Sequence, residues 1–333
     1  MRYRGHPLES GRHQTLTNLP NHSLTQPGFP GLAGAAQQPP YPARFSSIAA
    51  LQSWPRRPSR RRYKFRGVLT RELRVILWFF AVLAFSAGVL LYVLSGNTDD
   101  TFSWTIAPSL TAAFLGGAYW AAFVLFVWSA RQTLWVRARP FVLPVALIAV
   151  LLLVATLTHD DKFHKDLFGR FWLAAYIAVP PVLAFGLWRQ FRAPPVPEPP
   201  RDPLPAALRL VLGGEALVLA GVGIALFVAP ETSDDLWPWT LTPLTARAIA
   251  SFLIGFGAAA AQAAWENDIG RLTGSAYAYA TLGLLQLVAV LRYPDEFDGS
   301  GLRGVLYVAF VVLVLLTGLA GSARARRAGL QRA

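Results

Sequence analysis

The chain contains no cysteine, which excludes disulfides, thiolate metal sites and cysteine nucleophiles and leaves the redox compartment open. Lysine is nearly absent: only Lys64, Lys162 and Lys165 stand among the 31 basic residues. With the abundant alanine, this bias matches GC-rich codons and says nothing about function. Charge of either sign is scarce, at 15% of residues, while 54% are hydrophobic. That is more apolar surface than one or two water-soluble domains can bury. Phosphate loops, dinucleotide fingerprints, nucleophile elbows and zinc-protease motifs are all missing. No histidine lies well inside an apolar run, which argues against haem held between helices. No cofactor, metal or enzymatic activity is therefore expected.

What the chain has is long apolar runs. Eight approach the roughly 20 residues that cross about 30 Å of hydrocarbon, near 75–94, 108–129, 141–158, 171–188, 206–228, 243–263, 274–291 and 303–321. They are too long and too uniformly apolar for barrel strands, and lipid offers no partner to an open backbone, so the expected fold is all-α, a polytopic membrane protein with eight transmembrane helices. Trp104, Trp128, Trp172, Trp188, Trp237, Trp239 and Trp265 fall near the ends of the runs, where an aromatic belt is expected.

Residues 1–66 are rich in Pro, Gly, Gln, Ser and Arg, show no helical or strand period, and are expected to be disordered. Met1 is the single methionine and the apolar pattern begins after Val68, which raises the expectation of a valine start there. Ser59-Arg60-Arg61-Arg62-Tyr63-Lys64-Phe65 loosely resembles a twin-arginine signal, but no small-x-small cleavage site follows, and a basic anchor before the first span is the expected role.

The net charge of +13 does not point to nucleic acid, because of where it lies. The N-terminal segment through Arg74, the loops near 130–140, 189–209 and 264–274, and the tail after Ser322 hold 25 Lys/Arg against 6 Asp/Glu, whereas the opposite loops hold 5 against 11. This asymmetry predicts a plasma-membrane protein with both termini cytoplasmic and anionic lipid headgroups as their counterpart. A membrane-protein partner or a homo-oligomer stays open.

One phrase occurs twice. Asp99-Asp100-Thr101-Phe102-Ser103-Trp104-Thr105-Ile106-Ala107-Pro108 recurs 135 positions later as Asp234-Asp235-Leu236-Trp237-Pro238-Trp239-Thr240-Leu241-Thr242-Pro243. Leu110-Thr111-Ala112 then matches Leu244-Thr245-Ala246 after a one-residue slip. The pattern predicts two tandem four-span repeats, 67–192 and 206–322, joined by a stiff Pro-rich linker, 193–205, and followed by a basic tail, 323–333. Four spans per copy is even, so the repeats are expected to be parallel, about an axis along the membrane normal.

Few residues invite a functional role. The acidic motif of Asp99, Asp100, Trp104 and Pro108, with Asp234, Asp235, Trp239 and Pro243, reads either as an outer cation site or, more simply, as helix-start chemistry in which Thr242 caps a helix opening on Pro243. Glu215 is a carboxylate inside a span, which lipid disfavours by about 2.5–3.5 kcal/mol, so it is expected to face the interior. Its counterpart 135 positions earlier is Phe80. Gln286 is the expected hydrogen-bond partner of Glu215 by depth, and Arg247 is expected to snorkel to the outer interface. Gly213, Gly214, Gly221, Gly223, Gly255, Gly257 and Ala258 to Ala261 read as close-packing seams. His159 and His164 share a loop with Asp160, Asp161 and Asp166, without metal-ligand spacing.

The stretch Trp237-Pro238-Trp239-Thr240-Leu241-Thr242-Pro243-Leu244-Thr245-Ala246-Arg247 resembles one found in multi-span membrane proteins of high-GC actinobacteria. The resemblance implies a plasma-membrane protein and brings no activity with it. The expected function is a non-enzymatic membrane component that binds a lipid, a small ligand or a membrane partner. Two alternatives stay open: a secondary transporter or channel for a small solute or ion using Glu215, and, more distantly, an outer-face enzyme using Asp160, Asp161 and His164. A water-accessible cavity reaching Glu215 favours transport, and dry Gly/Ala-packed bundles favour binding.

Overall fold

The computed structural model describes residues 67–330; the segment 1–66 expected to be disordered, with its arginine motif, and the last three residues lie outside the described residues. Among the described residues eight helices are long and apolar enough to cross a membrane. They are α1 (Arg71–Val93, its last turn π-helical), α2 (Ser109–Ala130), α3 (Trp135–Leu157), α4 (Leu167–Arg192), α5 (Ala206–Val228), α6 (Pro243–Glu266), α7 (Ile269–Arg292) and α8 (Leu302–Leu330). The protein is an all-α polytopic membrane protein. Each apolar run lies largely within one helix, and several helices extend beyond it. The longest extension is at α8, which continues past its run to Leu330 and takes in Arg324, Arg326 and Arg327, while α3 begins at Trp135 and takes in Arg137 and Arg139.

At several helix starts a side chain satisfies one of the first free N–H groups. Thr242 caps α6 as expected, with Pro243 in the first turn, and the cap is reciprocal, Thr245 Oγ1 accepting from the Thr242 N–H at 2.9 Å. The matching phrase at 99–108 has Ala107 where Thr242 stands, and there the carboxylate of Glu296, from the α7–α8 loop, accepts from the Leu110 N–H at 2.6 Å. Asp166 caps α4 and Asp268 caps α7. Between α6 and α7, Asn267 adopts the left-handed conformation (φ 48°) that closes a helix in one residue.

The bundle has two faces. Loops preceding α1, α3, α5 and α7 lie on the basic face; those preceding α2, α4, α6 and α8 lie on the acidic face. Within each set of four, α1 packs along α2, and α5 along α6; α3 packs along α4, and α7 along α8. Across the sets α2 packs on α7 and α3 on α6. Exchanging α1–α4 with α5–α8 maps this pattern onto itself. The main core accordingly runs through both sets, and α2 and α6 are the most enclosed helices.

Small residues decide the closest crossings, though fewer than expected. A Cβ at Gly257 would stand 3.1 Å from the Ala216 carbonyl, and one at Gly318 would stand 2.3 Å from the Ala280 nitrogen. Gly223 and Gly255 are equally constrained, by Ile254 and Ile148. Gly213, Gly214 and Gly221, expected in seams, have nothing within 4 Å of a built Cβ. They lie off the stripe of α5 that meets α6.

The tryptophans need a second correction. Trp188 and Trp265 are exposed on the bundle surface as a belt requires, but Trp104, Trp172, Trp237 and Trp239 are buried. The acidic-face loops fold back over the helix ends, so these indoles fill space between helices and do not reach headgroups. Trp239 Nε1 donates to Thr111 Oγ1 at 2.9 Å, joining the loop of one set to a helix of the other. Thr111 is available because Ala107 precedes Pro108, whereas Thr242, before Pro243, engages Thr245.

Candidate functional site

α5 packs along α6 and α8 along α7, while α5 and α8 scarcely touch, and the seam between them opens into a cavity of about 370 Å³. Its walls are Val218, Leu219 and Val222 of α5, Leu253 and Phe256 of α6, Leu282, Gly283 and Gln286 of α7, and Leu306, Tyr307, Phe310, Val311 and Val314 of α8, with Phe114 of α2 closing the back. Glycine at 283 is needed by the neighbouring crossing, where a Cβ would meet the Leu315 backbone at 2.8 Å. Val218 and Leu306 are exposed, so the mouth opens sideways, toward the hydrocarbon a membrane would place there. Asp235 and Arg303, both exposed, stand at the acidic-face rim. Behind the rim Asp298 accepts from the Ser300 hydroxyl and the Gly301 N–H, which hold its carboxyl below the usual range and tighten the turn into α8.

Three polar groups interrupt the apolar wall. Gln286 Nε2 donates to the Phe114 carbonyl at 3.0 Å across the α2–α7 crossing, and Gln286 Oε1 accepts from the Tyr307 hydroxyl at 3.3 Å. Gly117 makes room for this, since a Cβ there would stand 2.9 Å from Gln286 Nε2. Trp237 Nε1 is buried without a hydrogen-bond partner.

Glu215 is 1% exposed, facing the interior as lipid requires. Its expected partnership with Gln286 does not form. The Thr317 hydroxyl of α8 donates to Oε1 at 2.7 Å, and Oε2 is buried without a partner. Gln286, although inside the bundle at a matching depth, is turned toward α2 and α8, where it meets the Phe114 carbonyl and Tyr307. Arg247 stays at the acidic-face end of α6, where its Nε donates to the Phe227 carbonyl at 3.2 Å and its Nη1 lies 3.0 Å from His159 Nε2. A guanidinium only donates, so His159 Nε2 accepts and Nδ1 carries the hydrogen, facing the Ala155 carbonyl at 3.0 Å. Phe227 lies twelve residues along α5 from Glu215, roughly 18 Å at helical rise, so the two charges are not a pair.

A smaller cavity, about 90 Å³, lies among α1–α4 with Phe252 of α6 at its back. Seven of its lining residues have a lining residue of the large cavity 135 positions further on: Leu83 and Val218, Ala84 and Leu219, Ile148 and Gly283, Trp172 and Tyr307, Ala175 and Phe310, Tyr176 and Val311, Val179 and Val314. Ile148 against Gly283 accounts for part of the difference in volume. Phe80, the counterpart of Glu215, lines the small cavity itself.

No family model, curated protein or solved structure matches the chain.

The remaining predicted positions do not converge on a site. Asp99, Asp100 and Asp235 are exposed on the acidic face, and among the described residues no group of three His, Asp or Glu side chains is placed to hold a metal ion. His164 is engaged by the Phe102 carbonyl and the Thr105 hydroxyl, and Asp161 by Lys162 at 2.9 Å, so they form no acid–base pair.

On the basic face lies a cluster that sequence reasoning missed. Arg139 of α3 and Arg271 of α7 share two acids. Glu266 of α6 accepts from Arg139 Nε at 2.8 Å and from Arg271 Nη1 at 2.6 Å; Glu198 of the linker accepts from Arg139 Nη1 at 3.2 Å and Arg271 Nη2 at 2.9 Å. Both arginines and Glu266 are buried, and Glu198 nearly so at 17% exposure. The linker is thus more than a spacer: it is docked through Glu198, through Asp202, whose carbonyl accepts from Ile269, and through Leu204, whose N–H donates to Asn267.

Proposed function

We propose that the protein is a non-enzymatic plasma-membrane component that holds a small lipophilic ligand in the cavity between α5 and α8. The cavity itself carries the reading. Close packing is the rule in a helical bundle, and between α5 and α8 it is relaxed to the size of a ligand pocket, apolar inside the Asp235 and Arg303 rim except for Gln286, Tyr307 and the Trp237 indole. A mouth facing the hydrocarbon admits a molecule that is already dissolved in the bilayer. The charge asymmetry of the loops supports cytoplasmic termini and a cavity in the outer half of the membrane. The two cavities, related by a constant offset of 135 positions, and the self-mapping of helix pairs support an internal duplication about an axis along the membrane normal, with the second copy enlarged for binding.

A photoactivatable aliphatic alcohol tests the reading. Crosslinks are expected on Val218–Val222 and Leu306–Val314, and Val222→Trp, which fills the cavity, is expected to remove them. Labelling spread evenly over outward residues such as Leu217 and Leu291, unchanged in the variant, would discard the cavity as a site.

One observation favours transport as a second reading. An open groove on the basic face, lined by Leu208 of α5 and Ala320 of α8 among others, follows the same seam and ends one turn short of Thr317. Flux into proteoliposomes with and without a pH gradient separates the two readings.

A further inference from the structure

We propose that the ligand is a lipophilic cation, an apolar body carrying one protonated nitrogen, whose charged end is received by Glu215. The proposal rests on the cavity being the ligand site and assigns that site its chemistry.

On α5, Glu215 precedes the lining residues Val218, Leu219 and Val222 by three, four and seven positions, which is one helical stripe. On α8, Thr317 follows Val314 by three and Phe310 by seven, again one stripe. α5 and α8 run in opposite directions, so both stripes descend to the same level. The Glu215–Thr317 pair therefore forms the next layer beneath the cavity floor, about one helical turn or 5.4 Å further in. The head of a ligand seated in the cavity therefore has to pass Leu219 and Val314 to meet the carboxylate where Thr317 holds it.

Chemistry supplies the rest. Oε1 has its donor in Thr317, and Oε2 has none although the side chain is 99% enclosed. Buried polar atoms are almost always partnered, and an unpartnered carboxylate oxygen is the costliest kind. Arg247, inside the α6 run, is engaged far away by Phe227 and His159. Of the three polar groups of the cavity wall, Gln286 and Tyr307 are bonded to one another and the unpartnered Trp237 Nε1 can only donate, leaving Oε2 as the acceptor without a donor. A cationic head supplies both a donor and the opposite charge, the strongest form of hydrogen bond. An anionic amphiphile fits poorly, since with its head at Arg303 its tail would end against Glu215, and with its head inward it would meet a like charge. The first copy has Phe80 at this position and a cavity a quarter the size, so the carboxylate accompanies the enlarged site.

Three matched probes decide the matter: 4-phenylbutylamine, 4-phenylbutanol and 4-phenylbutyrate, titrated into the purified full-length protein and into the Glu215→Gln and Val222→Trp variants. The amine is expected to bind the unaltered protein at least tenfold more tightly than the alcohol or the carboxylate. Glu215→Gln is expected to remove the amine's advantage over the alcohol, while Val222→Trp weakens all three. Should amine and alcohol bind the unaltered protein equally, with Val222→Trp still weakening both, the cation preference is wrong and the cavity reading survives. Binding of every probe that ignores Val222→Trp, or no binding at all, overturns both. The comparison in the unaltered protein needs no variant, so a misfolded Glu215→Gln protein leaves the test intact.

Discussion

At the scale of the residue, the most heavily engaged charges lie on the basic face, away from the cavity. Arg139, Arg271, Glu198 and Glu266 alternate in sign, so each buried charge has two opposite neighbours and little bare charge is left. Removing one member of a buried pair leaves its partners uncompensated, at a cost of about 3–5 kcal/mol. Glu266→Ala is thus expected to lower the thermal unfolding midpoint in detergent markedly, and Glu198→Ala to lower it less, because water replaces part of the partly exposed Glu198 carboxylate. Equal midpoints for the two variants would contradict this ranking. The cluster could not be read from the sequence: Arg139 and Glu266 are 127 positions apart, and each is one charged residue near a helix end among many. Glu215 was legible because a carboxylate inside an apolar run has few options. Its partner was not, since Thr317 is one of several hydroxyls at compatible depth and only helix rotation selects it.

At the scale of the element, hydropathy located the eight helices because lipid forces both the apolar composition and the internal hydrogen bonding of a span. It did not tell which side of a helix faces protein, and the glycines show the consequence. Gly213 and Gly318 are both glycines of long apolar helices, yet only Gly318 lets two backbones meet. Gly213→Ala is expected to be neutral or to stabilise by about 0.5–1 kcal/mol, since a methyl group there meets nothing and alanine is the better helix former. Gly318→Ala drives a Cβ to within 2.3 Å of the Ala280 nitrogen and separates α7 from α8, so a loss of about 1–3 kcal/mol or more is expected. Thermal unfolding of the two variants side by side checks both signs. The buried tryptophans have the same origin. Belt and core indoles sit at the same sequence position, at the end of a run, and only the path of the loop decides between them.

At the scale of the whole molecule, the helix pairs that join the two sets of four matter as much as those within each. α2 on α7 and α3 on α6 bring the most enclosed helices together, Trp239 bonds to Thr111, Gln286 bonds to the Phe114 carbonyl, and Phe114 and Phe252 each close the cavity of the opposite set. A four-helix piece on its own would expose these faces, including the Gln286 amide, to lipid that cannot satisfy them. Residues 1–192 and 193–333 expressed as separate chains are therefore expected to copurify when made together, and each to be degraded or aggregated when made alone. The division places Glu198 on the second piece, so Glu198→Ala combined with Glu266→Ala is expected to weaken copurification at the basic face while Trp239 and Gln286 still hold the other. Two pieces that each fold and persist alone would mean that the shared core contributes little, and that the cavities belong to independent bundles.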